Sequence, residues 1–417
     1  MPRRLLKIQV KRSSFFELVS QANSLIEKRV VVPILSKILI STKESKYLCV
    51  QATDQDNSLQ NEIPVKVEGG GKVVIDAQTL YEILKELPEG IVELKEQEDK
   101  KVRLKQGASV FHLLSLQPRD FPAFPPFQMS DSFSISAETL KYLIDKTIYC
   151  SSLDDTRYHL TGIFFETLES IRPEKRKEAG AEGKIEDSTD EKEGGTEEEK
   201  EDKRGGSLYF RFVATDGHRL ALAEYPCEKS LEKGVIISKK GVQEIKKLVS
   251  LASGEEKVEV AVKPPRILFR YGSAILSVKL VEGGYPAYQP FIPKSGSVSV
   301  EVEVDTNQFS QTLRRVSLLS STRFKGVNFD ITEKKIQMES ENPDLGKAQD
   351  EVTCVRKKGG DLKVRFNARY ILEALSSIGT KKAFITFGGK EKACVIYPVL
   401  KGEREKHSFC VIMPMKM

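Results

Sequence analysis

The sequence predicts an α+β protein made of three copies of one domain, and two observations carry that prediction. A unit of alternating strand residues, polar capping residues and an amphipathic helix recurs along the chain. Two Pro/aromatic segments then divide the 417 residues into three nearly equal lengths.

The first recurring helix follows IQVKRSSFFELV from Ile8, FSISAETLKYLI from Phe133 and VEVDTNQFSQTL from Val302; the apolar anchors Phe15, Leu140 and Phe309 align without gaps. A second helix recurs in VIDAQTLYEIL from Val74, IISKKGVQEIK from Ile236 and RFNARYILEAL from Arg365, with Ile75, Ile237 and Phe366 equivalent. Alternating runs such as KVRLKQGASVFHLLSL, RILFRYGSAILSVKL, and KACVIYPV with HSFCVIM predict hairpins around the helices. RDFPAFPPF (Arg119–Phe127) and GGYPAYQPFIPK (Gly283–Lys294) read as semi-rigid connectors, because proline holds itself and its predecessor extended. Cutting there gives expected domains at 1–127, 128–294 and 295–417.

With 39% hydrophobic residues the chain can bury three cores. The basic start MPRRLLKIQV has no apolar run of signal-peptide length, and no 18-residue apolar span occurs, so a cytoplasmic protein is expected. The six cysteines are scattered without a paired CxxC, so neither a metal site nor a disulfide framework is expected, and no cofactor. They read as reduced, mostly buried thiols.

The formal net charge of +6 hides an asymmetry. Glu169–Arg204 holds 14 acidic and 9 basic residues with almost no apolar ones, leaving about +11 on the rest. Such a segment cannot offset its ordering entropy by burial, so a disordered insertion over about 169–207 is expected inside the middle copy. An acidic partner-binding tail is the alternative reading of it.

Three basic domains of this size suggest a ring. A domain of about 120 residues is roughly 35 Å across; three touching spheres leave a hole of only about 5 Å, whereas six leave one of about 35 Å. A DNA duplex is on the order of 20 Å wide, so a head-to-tail dimer could encircle it and a monomer could not. Lys28, Arg29, Lys141, Lys146, Arg157, Lys239, Lys240, Lys246, Lys247, Arg314, Arg315, Arg323 and Lys325 lie on or beside the repeated helices, where phosphate attraction would be sequence-independent.

VATDGHRLALAE (Val213–Glu224) places Asp216, Gly217, His218 and Arg219 together in an apolar strand pattern. An acid/base couple would use these residues, and so would a tight turn between two strands. Together with the triplicated pattern, DDTRYHLTGIFFE (Asp154–Glu166), FKGVNFDI (Phe324–Ile331) and the terminal VIMPMKM, this segment resembles the beta sliding clamp family of bacterial DNA polymerase III. The resemblance covers nearly the whole chain and does not require the acidic insertion.

That resemblance implies the DNA-clamp (processivity) fold: a homodimeric ring of six domains with helices lining the pore and sheets outside. It implies a non-enzymatic processivity subunit, placed on double-stranded DNA by a clamp loader, that tethers the polymerase III alpha subunit and other replication and repair proteins carrying a clamp-binding motif. The implied peptide pocket comprises Leu160, Thr215, Gly217, His218, Arg219, Leu220, Pro286, Pro290, Phe291, Val411, Ile412, Met413, Pro414, Met415, Lys416 and Met417. The implied DNA contacts are Arg29, Gln78, Asp154, Tyr158 and His159; Gln78, Asp154 and His159 depart from the family's usual residues. At the dimer interface Phe111 and Leu113 would meet Leu318 and Leu319 of the other subunit.

Read from the residues alone, a Met-rich terminus suits a surface that accepts several peptides. In the pocket that the resemblance implies, Asp216 and Gly217 read as turn formers, His218 and Arg219 as the polar edge of a groove, and Leu220 as its floor. Two rival readings are a hydrolase using Asp216 and His218, which no accompanying catalytic motif supports, and a non-specific DNA binder with no need of a closed ring.

Overall fold

The computed structural model describes residues 5–27, 31–98, 100–126, 131–169, 208–292, 299–320 and 325–416. Its elements fall into three blocks of the same order. The first holds β1 (Lys7–Lys11), α1 (Arg12–Leu25), β2 (Lys37–Lys43), β3 (Tyr47–Thr53), β4 (Asn57–Pro64), β5 (Lys66–Gly69), β6 (Lys72–Asp76), α2 (Ala77–Glu86), β7 (Ile91–Glu96), β8 (Lys101–Gln106) and β9 (Ser109–Leu114). The second holds β10 (Phe133–Ser136), α3 (Ala137–Asp145), β11 (Gly162–Glu169), β12 (Leu208–Thr215), β13 (Arg219–Cys227), β14 (Val235–Ser238), α4 (Lys239–Val249), β15 (Lys257–Lys263), β16 (Arg266–Tyr271) and β17 (Ala274–Val281). The third holds β18 (Val300–Asp305), α5 (Thr306–Ser317), β19 (Gly326–Ile331), β20 (Lys335–Asn342), β21 (Gly346–Lys358), β22 (Leu362–Asn367), α6 (Ala368–Ile378), β23 (Lys382–Phe387), β24 (Cys394–Leu400), β25 (Glu403–Arg404) and β26 (Ser408–Ile412).

The capping residues in the repeats do what their chemistry allows. Side chains of Asp76, Ser136, Ser238, Asp305 and Asn367 accept backbone N–H bonds at the starts of α2, α3, α4, α5 and α6, each contributing about 1 kcal/mol. The exception is α1, which starts at Arg12 behind Lys11 with no side-chain cap. In each block the two helices pack on one another and bury one face on the sheets, as with Phe15, Leu18 and Val19 of α1 and Phe309, Leu313 and Val316 of α5.

The joints between blocks reuse one strand pairing. β17 of the second block pairs antiparallel with β4 of the first, Leu276 opposite Leu59. β26 of the third pairs antiparallel with β13 of the second, Cys410 opposite Ala221. The ladders fix the correspondence. From Ile8, Phe133 and Val302, successive rungs lead through Leu94, Val260 and Ile385, then Leu104, Phe269 and Ile396, to Phe111, Leu276 and Cys410. From Ile75, Ile237 and Phe366, the other ladder leads to Leu59, Ala221 and Ala348.

Glu169 is the last residue of β11 and pairs with Leu208, so the expected insertion springs from the end of a β-hairpin; residues 170–207 lie outside the described residues. Among the described residues no helix is long and apolar enough to cross a membrane. All six cysteines are free thiols, five of them buried and Cys227 half-buried.

Candidate peptide-docking site

A cavity of about 420 Å³ opens at the joint between the second and third blocks. Its floor is the strand pair β13–β26, where Leu220 lies opposite Val411 and Arg219 opposite Ile412. One wall is the turn between β12 and β13, which Asp216 folds: its Oδ1 accepts the backbone N–H groups of His218 at 2.9 Å and Arg219 at 3.0 Å. Gly217 has φ +87°, which favours glycine, and a Cβ there would lie 3.3 Å from Arg157 Nη1. The opposite wall is the second connector, through Pro286, Ala287, Tyr288 and Phe291.

Ten of the expected pocket residues are brought together here: Leu160, Thr215, Gly217, His218, Arg219, Leu220, Pro286, Phe291, Val411 and Met413. Pro290 is exposed beside the cavity without lining it, and Ile412 points the other way into the core. The chain end runs past the pocket: Met413 N donates to His218 O at 3.0 Å and Met415 N to Arg365 O at 2.8 Å, which carries Pro414, Met415 and Lys416 away from the lining. Met417 lies outside the described residues.

The reading of Arg219 as a polar edge is overturned. Its side chain is only 5% exposed. Nε donates to Asp216 Oδ2 at 3.0 Å, Nη2 to Tyr149 O at 2.7 Å and Nη1 to Glu373 of α6, while the guanidinium lies 4.5 Å from the Tyr370 ring centre and 5.5 Å from that of Tyr149. Sequence alone gave no sign of Glu373, which comes from the next block. Burial acts to raise the Glu373 carboxyl, but hydrogen bonds from Arg369 and Arg219 outweigh it and hold it below the ordinary value. Burial opposes the charge on Arg219 too, yet its partners raise its affinity for the proton.

Sequence reasoning did not place Arg157, Ala287 or Tyr288 in the pocket. Aligning the two connectors would have pointed to Tyr288, since Phe121-Pro-Ala-Phe124 and Tyr285-Pro-Ala-Tyr288 match residue for residue. Tyr288 is buried, and its hydroxyl donates to Glu166 and accepts from Arg211 Nη1 at 2.9 Å. Burial, with the Glu166 hydrogen bond next, pushes the phenol well above its usual value, so it stays a neutral donor.

The first joint explains why this pocket is open. By the same ladders Arg266 there stands in the place of Ala393, Ser58 in that of Leu220 and Ser277 in that of Val411. Arg266 lies across the turn, donating to Gln55 O at 2.9 Å, Asp56 O at 3.1 Å and Ser277 Oγ at 3.2 Å. A long cation and two buried serines fill at one joint the space that alanine, leucine and valine leave apolar and open at the other.

The expected DNA contacts are dispersed. Asp154, Tyr158 and His159 lie on or beside the 3-10 segment Asp155–Leu160, which also feeds the pocket, and His159 lines the pocket itself. Asp154 is a local cap, accepting from Thr156 N at 3.0 Å and Thr156 Oγ1 at 2.6 Å, which together hold its carboxyl low. Tyr158 is 55% exposed. Gln78 sits on α2, accepting from Asn23 Nδ2 at 3.0 Å and donating to Glu82 at 2.7 Å. Arg29, Lys28 and Arg323 lie outside the described residues.

Several helix cations have structural partners instead. Lys240 pairs with Glu27 and Asp54, Lys246 with Asp145, and Arg315 with Asp350, while Lys146 Nζ caps the end of α6 at Ser377 O (2.5 Å) and Ile378 O (2.7 Å). Lys141, Arg314 and Lys325 are exposed and make no ion pair among the described residues. Phe111 and Leu113 are half-buried on β9; Leu318 is 77% exposed and Leu319 half-buried just past α5.

Comparison with known proteins agrees along the chain. Residues 6–125, 200–287 and 291–416 match the models described as the N-terminal, central and C-terminal domains of the DNA polymerase III beta subunit. The chain is 29% identical over 417 residues to the beta sliding clamp of Caulobacter vibrioides, covering 99% of this chain and 100% of that one. It is 26% identical over 413 residues to the beta sliding clamp of Pseudomonas aeruginosa, covering 98% and 99%. Among solved structures it superposes on the DNA polymerase sliding clamp of Caulobacter crescentus with a TM-score of 0.83 at 28% identity. On the Bartonella birtlesii sliding clamp bound to griselimycin the TM-score is 0.84 at 28% identity; each comparison covers 99% of this chain and 100% of the other.

Proposed function

The chain belongs to the DNA polymerase III beta subunit family, and from that premise we propose that it acts as a sliding clamp, two copies closing head to tail around duplex DNA. As a member of that family it is a processivity factor without catalytic activity of its own. The docking pocket would hold short peptide motifs of the polymerase III alpha subunit and of repair proteins, and a clamp loader would open the ring in the cytoplasm. The domain division at 1–127, 128–294 and 295–417 belongs to this reading, as do the pocket residues, the seam residues and the DNA contacts Arg29, Gln78, Asp154, Tyr158 and His159.

One observation carries the ring. Both internal joints use the same strand pairing, and among the described residues the first and third blocks each leave one half of that pairing unused. Among the described residues, β9 corresponds to β17 and β26 but pairs only with β8, while residues 346–353 of β21, which correspond to β4 and β13, pair only with β20. Joining them between two copies would set Phe111 opposite Ala348 of the second copy, as Leu276 stands opposite Leu59 and Cys410 opposite Ala221. A heterologous contact of this kind closes when its rotation is right. Helix ends follow the same rule: at the first joint Lys247 Nζ of α4 donates to Ser24 O at the end of α1, and Leu318 holds the place of Ser24 at the end of α5. Leu318 and Leu319 would therefore reach α2 of the second copy.

Topological retention tests the reading. Loaded with a clamp loader and ATP onto nicked circular DNA, the protein should stay bound in high salt and be released when the circle is cut. Equal salt-sensitive loss from circular and linear DNA would overturn it, since phosphate contacts alone are screened.

A further inference from the structure

The pocket rests on a pair of thiols that the docking function does not use. Cys150 ends the 3-10 turn Ile148–Cys150 of the second block, and Cys410 sits on β26 of the third. Both are buried, and their Sγ atoms lie 3.9 Å apart across the joint. We propose that these two cysteines are an oxidisable dithiol, a covalent cross-link site that ties the second block to the third beneath the docking pocket.

Three features favour this pair. The sulfurs already touch, and a disulfide near 2.05 Å asks them to approach by about 2 Å, within reach of side-chain rotation and a small shift of one strand. Their surroundings differ. Burial would raise the Cys410 thiol, but hydrogen bonds from Cys150 and Tyr149 and the charge of Arg219 outweigh it and lower it, whereas burial, with Cys410 beside it, keeps Cys150 protonated. The remaining thiols are not in such contact, although Cys394 lies diagonal to Cys410. Cys49 is in the first block, Cys227 and Cys354 contact the backbone carbonyls of Lys229 and Thr332, and Cys394 pairs with Ile412, one side-chain step along β26 from Cys410.

With a peroxide as oxidant the step balances. The Cys410 thiolate attacks one oxygen of hydrogen peroxide, the O–O bond breaks, and the second oxygen leaves as hydroxide that takes up the released proton as water, giving a sulfenic acid. The Cys150 sulfur then attacks that sulfur and displaces a second water, so two thiols and one peroxide give one disulfide and two waters. Access comes through transient opening of the joint, since both thiols are buried.

The test uses the whole chain treated with hydrogen peroxide, then alkylated under denaturing conditions, digested and mapped by mass spectrometry. A Cys150–Cys410 cross-linked peptide that dithiothreitol removes is expected, together with a rise of at least about 5 °C in the unfolding temperature that the same reductant reverses. In Cys150→Ala both signals should vanish, leaving Cys410 sulfenic or over-oxidised. Mapping of the unsubstituted protein stands even if that variant does not fold. Both thiols alkylated after peroxide, a cross-link from Cys410 to Cys394 instead, or a cross-link without thermal effect would overturn the proposal. None of these outcomes depends on DNA retention, so the ring is tested separately.

Discussion

Replacing Arg219 with alanine tests whether the docking pocket is held up by an ion pair between blocks. The side chain is 5% exposed and its three donor contacts go to Asp216, Glu373 and the Tyr149 carbonyl. Truncation leaves that carbonyl without its donor, at a cost of about 1–3 kcal/mol. The carboxylates fare better: Asp216 keeps two backbone N–H bonds, and Glu373 keeps Arg369 at 2.7 Å. Breaking a buried pair costs about 3–5 kcal/mol, and these retained partners put the loss near the lower end, about 3–4 kcal/mol. For a cooperative unit of this size each kcal/mol moves the midpoint by about 2–4 °C, so calorimetry should show the transition fall by roughly 10 °C. A cycle with Glu373→Gln should be non-additive by about 1–3 kcal/mol, because the two side chains touch. A shift below about 2 °C, or additive single effects, would refute the strut.

Three further outcomes are expected. Deleting Met413–Met417 removes the Met413 wall and its bond to His218 O, so peptide affinity measured by fluorescence polarisation should fall at least about 30-fold while the melting curve stays in place; unchanged affinity would rule out the assigned wall. Ala348→Arg, which sets a long cation against Phe111 at the seam, should weaken the dimer at least about 30-fold in sedimentation without altering the fold of the monomer; an intact dimer would contradict the register. The Glu373 carboxyl sits below its ordinary value of 4.5, so its contribution is fully present above about pH 4.5 and is lost as pH falls through the lower folded value. Acid melting of Glu373→Gln should therefore converge on the unsubstituted protein below that window, and a gap that widens on acidification would reverse the sign.

Much of the architecture was legible because local chemistry and global position agree. Ile75, Ile237 and Phe366 precede capping residues that do cap, and they also sit on equivalent ladder rungs. Arg219 was misread for the opposite reason. Nothing local says that the arginine after a turn will meet a carboxylate from a helix about 150 residues on, so exposure was the default for a charged residue. Lys146, Lys240 and Arg315 were read as solvated helix cations within reach of phosphate, and their partners also come from other segments. Tyr288 was hidden in plain view, within a connector read only for its prolines. The openness of the pocket depends on Ala393 having only a methyl group where Arg266 has a long side chain, a contrast visible only once the strands were in register.

Repetition of one joint turns closure into a question of angular tolerance. In the proposed ring six like steps would have to add to a full circle, about 60° each, and an error of about 5° per step would leave the ends about 30° apart, enough to start a helical filament. The joints inside each chain are braced by Lys146, Arg219, Lys240 and Arg266, whose bonds fix their angle. In the proposed ring the seams would have no covalent link and would rest on strand edges and a few apolar side chains. Any residual misfit would collect there, so the elastic load of closing the circle would be stored at the two places where the proposed ring has to be opened.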